Sequence, residues 1–94
     1  MIKSVGDKKT KQFLEGKRVQ EFEQFQDRAA RQLRRLNRAK NLQDVSTPRS
    51  NRLHRLKGTL KEFYSISIND QYRVIFRWDA DNGDAYDVRI TDYH

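Results

Sequence analysis

Six residues in the second half of the chain have side chains suited to cutting a phosphodiester without a metal: His54, Lys57, Arg73, Asp92, Tyr93 and His94. Cleaving RNA needs a base to take the ribose 2′-OH proton, an acid to protonate the leaving 5′-oxygen, and cations to hold the scissile phosphate. Leu53-His54-Arg55-Leu56-Lys57-Gly58 sets a histidine and a lysine three positions apart between two leucines, and Asp92-Tyr93-His94 closes the chain. Arg52, Arg55 and Lys57 are like charges that disfavour a charged imidazole at His54, whereas Asp92 and the chain's terminal carboxylate favour one at His94. The contrast suggests His54 as neutral general base and His94 as protonated general acid, with Lys57 and Arg73 on the phosphate. Asp92 would orient His94 or position the ribose, and Tyr93 would stack on a base or donate a proton. Taken singly, each feature is as readily a surface histidine or a frayed chain end. Only the combination points to nuclease chemistry.

These groups must be held by the elements around them, and the hydrophobic pattern says which. Met1 to Val5 alternates weakly, which suits a short opening strand. Asp7 or Gly6 can cap a helix from about Lys8 to Glu15, with Gly16 as its stop. Phe22, Phe25, Ala29, Leu33 and Leu36 then fall at spacings of 3, 4, 4 and 3, an apolar stripe predicting one long helix from Lys17 to Ala39. Arg28, Arg31, Arg34, Arg35 and Arg38 lie largely off that stripe. Asn41 to Val45 adds a helical turn, and Ser46-Thr47-Pro48 marks a loop.

Beyond that loop the period changes from 3.6 to 2. A short strand is expected around Arg52 to Lys57, then Phe63 to Ile68 and Tyr72 to Trp78, joined by a turn at Asn69-Asp70. A second turn at Asp81-Asn82-Gly83-Asp84 leads into a last strand, Ala85 to Thr91, with Tyr86, Val88 and Ile90 expected on one side. The order is an N-terminal strand, two helices of which the second is long, then an antiparallel meander of three to four strands. Such segregation makes an α+β domain with the helices on one sheet face and the other face open. Tyr72, Val74, Phe76 and Trp78 share a parity and should meet the helices, leaving Arg73, Ile75 and Arg77 outward. An outward arginine in a central strand can grip phosphate in two-pronged fashion, or pair across strands with Asp87.

Composition bounds the rest. Ninety-four residues are enough for one domain, here read as 1–94, and ten aromatics can fill a modest core although charged and hydrophobic residues each make up 35%. Without cysteine there are no disulfides or thiolate zinc sites, and two histidines cannot cage a metal without carboxylate help. No apolar run approaches the ~18 residues of a membrane span, so a soluble cytoplasmic protein is expected, with no cofactor and no membrane partner. The formal charge is +7, unevenly spread: residues 1–61 hold 17 basic and 6 acidic side chains, residues 62–94 hold 3 and 7. A basic excess of this kind suits a polyanionic partner, because each neutralised phosphate releases counterions, though a solvated helix face reads the same way.

Leu53-His54-Arg55-Leu56-Lys57-Gly58, Tyr64-Ser65-Ile66, Gln71-Tyr72-Arg73-Val74-Ile75-Phe76, Gly83-Asp84-Ala85-Tyr86 and Asp92-Tyr93-His94, with the opening Met1-Ile2-Lys3-Ser4, resemble the HigB toxins of bacterial toxin–antitoxin modules, in the RelE/ParE superfamily. The likeness runs along nearly the whole chain. It departs at Thr59, where an acidic residue is common, at Tyr64 and Tyr72, where Trp is common, and in a slightly longer turn at residues 79–83. The resemblance implies the RelE-like microbial RNase fold and a ribosome-dependent, metal-independent mRNA interferase with His54, Lys57, Arg73, Asp92, Tyr93 and His94 as its active-site set. It implies that a basic surface of Arg31, Arg34, Arg35, Arg38, Arg52, Arg55, Lys61 and Arg77 contacts RNA of the ribosomal decoding site and the message. It also implies a HigA-type helix-turn-helix antitoxin as partner, with operator DNA reached only through that antitoxin. The competing class is a non-enzymatic poison of DNA gyrase, since ParE relatives share the fold and the basic character.

Overall fold

The structure, a computed structural model, describes residues 1–92. Helix α1 spans Lys8–Leu14; Asp7 caps it, its side chain accepting from the Thr10 amide at 2.9 Å. The expected single helix from Lys17 to Ala39 is instead a 3₁₀ segment, Gln20–Phe25, followed by helix α2, Gln26–Arg38. The physical reason lies in the apolar spacing. Val19, Phe22 and Phe25 recur every third residue, which stays in line only on a 3.0-residue turn, whereas Phe25, Ala29, Leu33 and Leu36 follow at α-helical intervals. All of them are buried, so one apolar stripe survives the change of helix type.

A one-turn helix α3, Gln43–Ser46, and a 3₁₀ turn, Arg49–Asn51, lead into the sheet. Its strands are β1 His54–Arg55, β2 Phe63–Ser67, β3 Tyr72–Asp79 and β4 Asp84–Asp92, antiparallel in chain order. β1 is shorter than the expected 52–57 span, although the Leu56 amide still bonds the Phe63 carbonyl at 2.9 Å. The Asn69-Asp70 turn holds because the Asn69 side-chain oxygen accepts from the amides of Gln71 and Tyr72 at 2.9 and 2.7 Å.

Met1 to Val5 is not a continuous strand. It lies parallel to β4 and touches it at two bridges, Ile2 with Ala85 and Val5 with Val88. The bridges fall three residues apart on both segments, and β4 carries an extra residue there relative to β3. Ile75 faces Arg89 but Arg77 faces Tyr86, and Asp87 takes a left-handed φ of 53°. The Asp87 amide, freed from the ladder, donates to the Ser4 hydroxyl at 2.8 Å. This bulge also corrects the expected facing of β4. Ala85, Val88 and Ile90 are buried together, whereas Tyr86 stands opposite Arg77 on the other face.

The core is the α2 stripe laid on Ile66, Val74, Phe76, Val88 and Ile90. Tyr72 packs on Phe25 with ring centres 4.6 Å apart, and Phe76 is fully buried, worth about 1.5–3 kcal/mol of transfer free energy. The opposite sheet face carries His54, Ser65, Ile75 and Arg89 in one cross-strand row and Ser67, Arg73 and Thr91 in the next. Among the described residues no helix is long and apolar enough to cross a membrane.

Candidate active site

β1 pairs His54 opposite Ser65 at the edge of the open face, while β3 carries Arg73 opposite Ser67. Between them lies a hollow of about 320 Å³ walled by Arg52, His54, Ser65, Ser67, Asn69, Asp70, Tyr72 and Arg73. The alternation of Ser65 and Ser67 with Ile66 puts two small polar side chains on its floor, where larger ones would fill it.

The position of His54 is built from beneath. Asn51, 2% exposed, donates to the carbonyls of Val45 and Thr47 at 3.0 and 3.1 Å and accepts from the Gln32 side chain at 2.9 Å. Gln32 donates in turn to the Ser67 carbonyl at 2.7 Å. One buried network therefore ties α2, the loop after α3 and the end of β2. The next residue, Arg52, adopts a left-handed conformation at φ 51°, and its carbonyl lies 2.9 Å from His54 Nδ1. A carbonyl only accepts, so Nδ1 carries the proton, and in the neutral ring Nε2 keeps its lone pair.

The proposed catalytic set is placed as follows. His54 and Arg73 share the hollow, and Arg52, read from the sequence as an RNA contact, joins them there. Asp92 lies across the ladder from Tyr72, at a position of the helix-facing parity rather than with Thr91 and Arg73; it accepts from the Gln71 side chain at 3.0 Å and is not part of the hollow's wall. Lys57 is exposed past the end of β1 and is not part of the hollow's wall. Tyr93 and His94 lie outside the described residues.

The other basic residues divide by position. Arg31, Arg34 and Arg38 are exposed on α2, and Lys61 is exposed before β2. Arg35 is half-buried and braces the network, its Nη1 donating at 3.2 Å to Gln32 and at 3.2 Å to Asn51. Arg55 and Arg77 line a second hollow with Tyr64, Trp78 and Tyr86. There Arg55 lies over the Tyr64 ring, 5.5 Å from its centre, and bonds the Lys61 carbonyl at 2.8 Å. Arg77 pairs with Asp87 at 3.1 Å, the cross-strand ion pair weighed from the sequence. At this end of the sheet the Asp79 carboxyl is held below its ordinary range, chiefly by the Asn82 side chain and then by the amides of Asp81 and Asn82.

Sequence reasoning missed Gln32 and Asn51, the two residues that set the hollow. Gln32 had a signal: it lies on the inward side of α2 beside Leu33 and Leu36, where a polar residue needs a partner. Among the described residues no cluster of three or more His, Asp or Glu could hold a metal ion.

Comparison with known proteins points to one family. Residues 3–94 fit the family model described as the RelE-like toxin HigB of type II toxin–antitoxin systems. Toxin HigB-1 of Vibrio cholerae serotype O1 (strain ATCC 39315 / El Tor Inaba N16961) is 44% identical over 48 residues, which cover 51% of this chain and 50% of that protein. The chain thus spans about half the length of the curated relative it matches.

Proposed function

The chain belongs to the HigB family of RelE-like toxins of type II toxin–antitoxin systems, and we propose that it is a ribosome-dependent, metal-independent endoribonuclease that cuts translated mRNA in the decoding site. The observation that carries this reading is the single hollow shared by His54 and Arg73, with the His54 ring fixed so that Nε2 is the free nitrogen. In this reading His54 Nε2 takes the 2′-OH proton, the 2′-oxygen attacks the adjacent phosphorus, and the 5′-oxygen leaves with a proton from His94 or Tyr93. Arg73, with Arg52 on the same wall and Lys57 beyond it, neutralises the charge building on the phosphoryl oxygens. Asp92, tethered by Gln71, orients the acid. The exposed cations of α2 and Lys61 hold ribosomal RNA, binding that weakens as salt rises.

A toxin of a type II module has an antitoxin partner. Here that partner is a HigA-type helix-turn-helix protein, which neutralises the toxin and carries it to operator DNA.

Brief expression in bacteria, with 5′ ends of RNA mapped across the transcriptome, tests the reading. Codon-phased cuts that vanish in His54→Ala and in His94→Ala, and when initiation is blocked, are expected. Growth arrest with intact messages would reject the nuclease and turn attention to gyrase supercoiling.

A further inference from the structure

The hollow that holds His54 and Arg73 does not end at Arg52. A second depression, of about 240 Å³, shares Arg52, Ser67, Asn69 and Asp70 with it and continues to Ser50 and Arg28. Two hollows with four wall residues in common are one groove. Three elements meet at its far end: the first turn of α2 brings Arg28, the 3₁₀ turn before β1 brings Ser50, and the β2–β3 turn brings Asn69. Among the described residues the groove carries Arg28, Arg52 and Arg73 against one carboxylate, Asp70.

Several arginines are committed within the fold. Arg18 is committed to Glu23, Arg77 to Asp87, and Arg35 to Gln32 and Asn51. Arg28, like Arg31 and Arg34 along the same helix, is exposed and makes no ion pair among the described residues; unlike them it lines the groove, so its charge is available to a ligand there. A planar guanidinium beside a serine hydroxyl and an asparagine suits a phosphodiester better than an isolated anion, because the groove runs on from a site that itself holds phosphate.

We propose that Arg28, with Ser50, forms a flanking subsite that binds a phosphodiester of single-stranded RNA next to the cleaved one, so that the strand enters the hollow along this groove. The proposal rests on the nuclease reading of the hollow and adds a path for its substrate. Arg28 acts on how tightly and in which register RNA is held, and takes no part in bond breaking.

The test uses the His54→Ala protein, which keeps the groove, and a 5′-fluorescein RNA hexanucleotide followed by anisotropy at several salt concentrations. Adding Arg28→Ala is expected to weaken binding about tenfold at low salt and to reduce the magnitude of the log–log salt slope by about 0.7. Lys11→Ala, an equal charge loss on α1, is expected to stay within about twofold. Equal effects of Arg28→Ala and Lys11→Ala, or no measurable hexanucleotide binding, would overturn the subsite. Both substitutions are exposed and introduce the strongest helix former, so unfolding curves should not move. Transcriptome mapping separates the two claims. A protein that binds RNA through Arg28 but cuts no message keeps the groove and loses the nuclease. Phased cutting with hexanucleotide affinity indifferent to Arg28 does the reverse.

Discussion

The Arg52 carbonyl oxygen lies 2.9 Å from Nδ1 of His54, two residues along the chain, and that bond decides which imidazole nitrogen can act as a base. It gives a test with two isosteres. The amide of Asn reproduces a donor near the Nδ1 position but has nothing at Nε2, and Gln reaches toward Nε2 with a group that cannot take a proton at neutral pH. Both His54→Asn and His54→Gln should therefore lose about 10²- to 10⁴-fold in cleavage rate on programmed ribosomes, with ribosome binding retained. Near-normal cleavage by either would remove His54 as the base.

The Asn51 side chain supports that geometry with hydrogen bonds to Val45, Thr47, Gln32 and Arg35. Asn51→Ala strips partners from buried groups, which costs about 2–3 kcal/mol. The urea midpoint should fall with little change in slope, since the surface exposed on unfolding is the same. At a temperature where the variant remains folded, cleavage should still fall, because Arg52 follows Asn51 directly and its carbonyl holds the His54 ring. Stability loss with full cleavage would make the network a brace for the fold alone.

How much of this was legible in the sequence differs by element. The alternation in β3 placed Arg73, Ile75 and Arg77 on the open face correctly, because a period of 2 leaves only one inward parity. It failed at Tyr86, since a one-residue bulge at Asp87 reverses the parity of everything before it and leaves no mark in a single sequence. The helix stripe was right about burial and wrong about helix type: a 3-residue spacing at Val19, Phe22 and Phe25 was present but reads as α-helical unless counted apart. The hollow itself depends on tertiary hydrogen bonds between positions 19 and 35 residues apart, Gln32 to Asn51 and Gln32 to Ser67, which no local pattern encodes.

Thr10 ties α1 to the sheet. It is completely buried, and its hydroxyl accepts from the Ile90 amide at 2.9 Å. Thr10→Val keeps the volume and leaves that amide buried without a partner, costing about 1–3 kcal/mol, while Thr10→Ser keeps the acceptor and should lose less. Chemical denaturation of the three proteins checks the order; equal loss in both variants would assign the effect to packing instead.

The β3–β4 turn should respond to acid. Asn82 and two backbone amides hold the Asp79 carboxyl below its ordinary value, so its contribution to stability is complete above that ordinary value and is lost as pH falls through the lowered one. In Asn82→Ala the largest cause is gone. A side-chain NMR titration should show Asp79 taking up its proton at a higher pH than in the unsubstituted chain. An unchanged titration would mean that the amides alone suffice.

Gly83 and Gly58 separate two costs of replacing a glycine. Both have left-handed φ, 69° and 71°. An added Cβ at Gly58 meets nothing within 4 Å, so Gly58→Ala carries only the backbone penalty of about 1–2 kcal/mol. At Gly83 the same Cβ would come within 2.5 Å of the Lys40 carbonyl oxygen, a backbone atom just after α2 that cannot swing aside. Gly83→Ala must therefore add displacement of the turn from the helix end to the same backbone penalty, and its unfolding midpoint should fall clearly below that of Gly58→Ala. Because β4 begins at Asp84, the shift should also disturb the Ile2–Ala85 bridge, visible as faster amide exchange at Lys3 and Ala85 in Gly83→Ala alone. Equal destabilisation by the two substitutions would show that the approach of Lys40 to the turn is loose enough to absorb a methyl group.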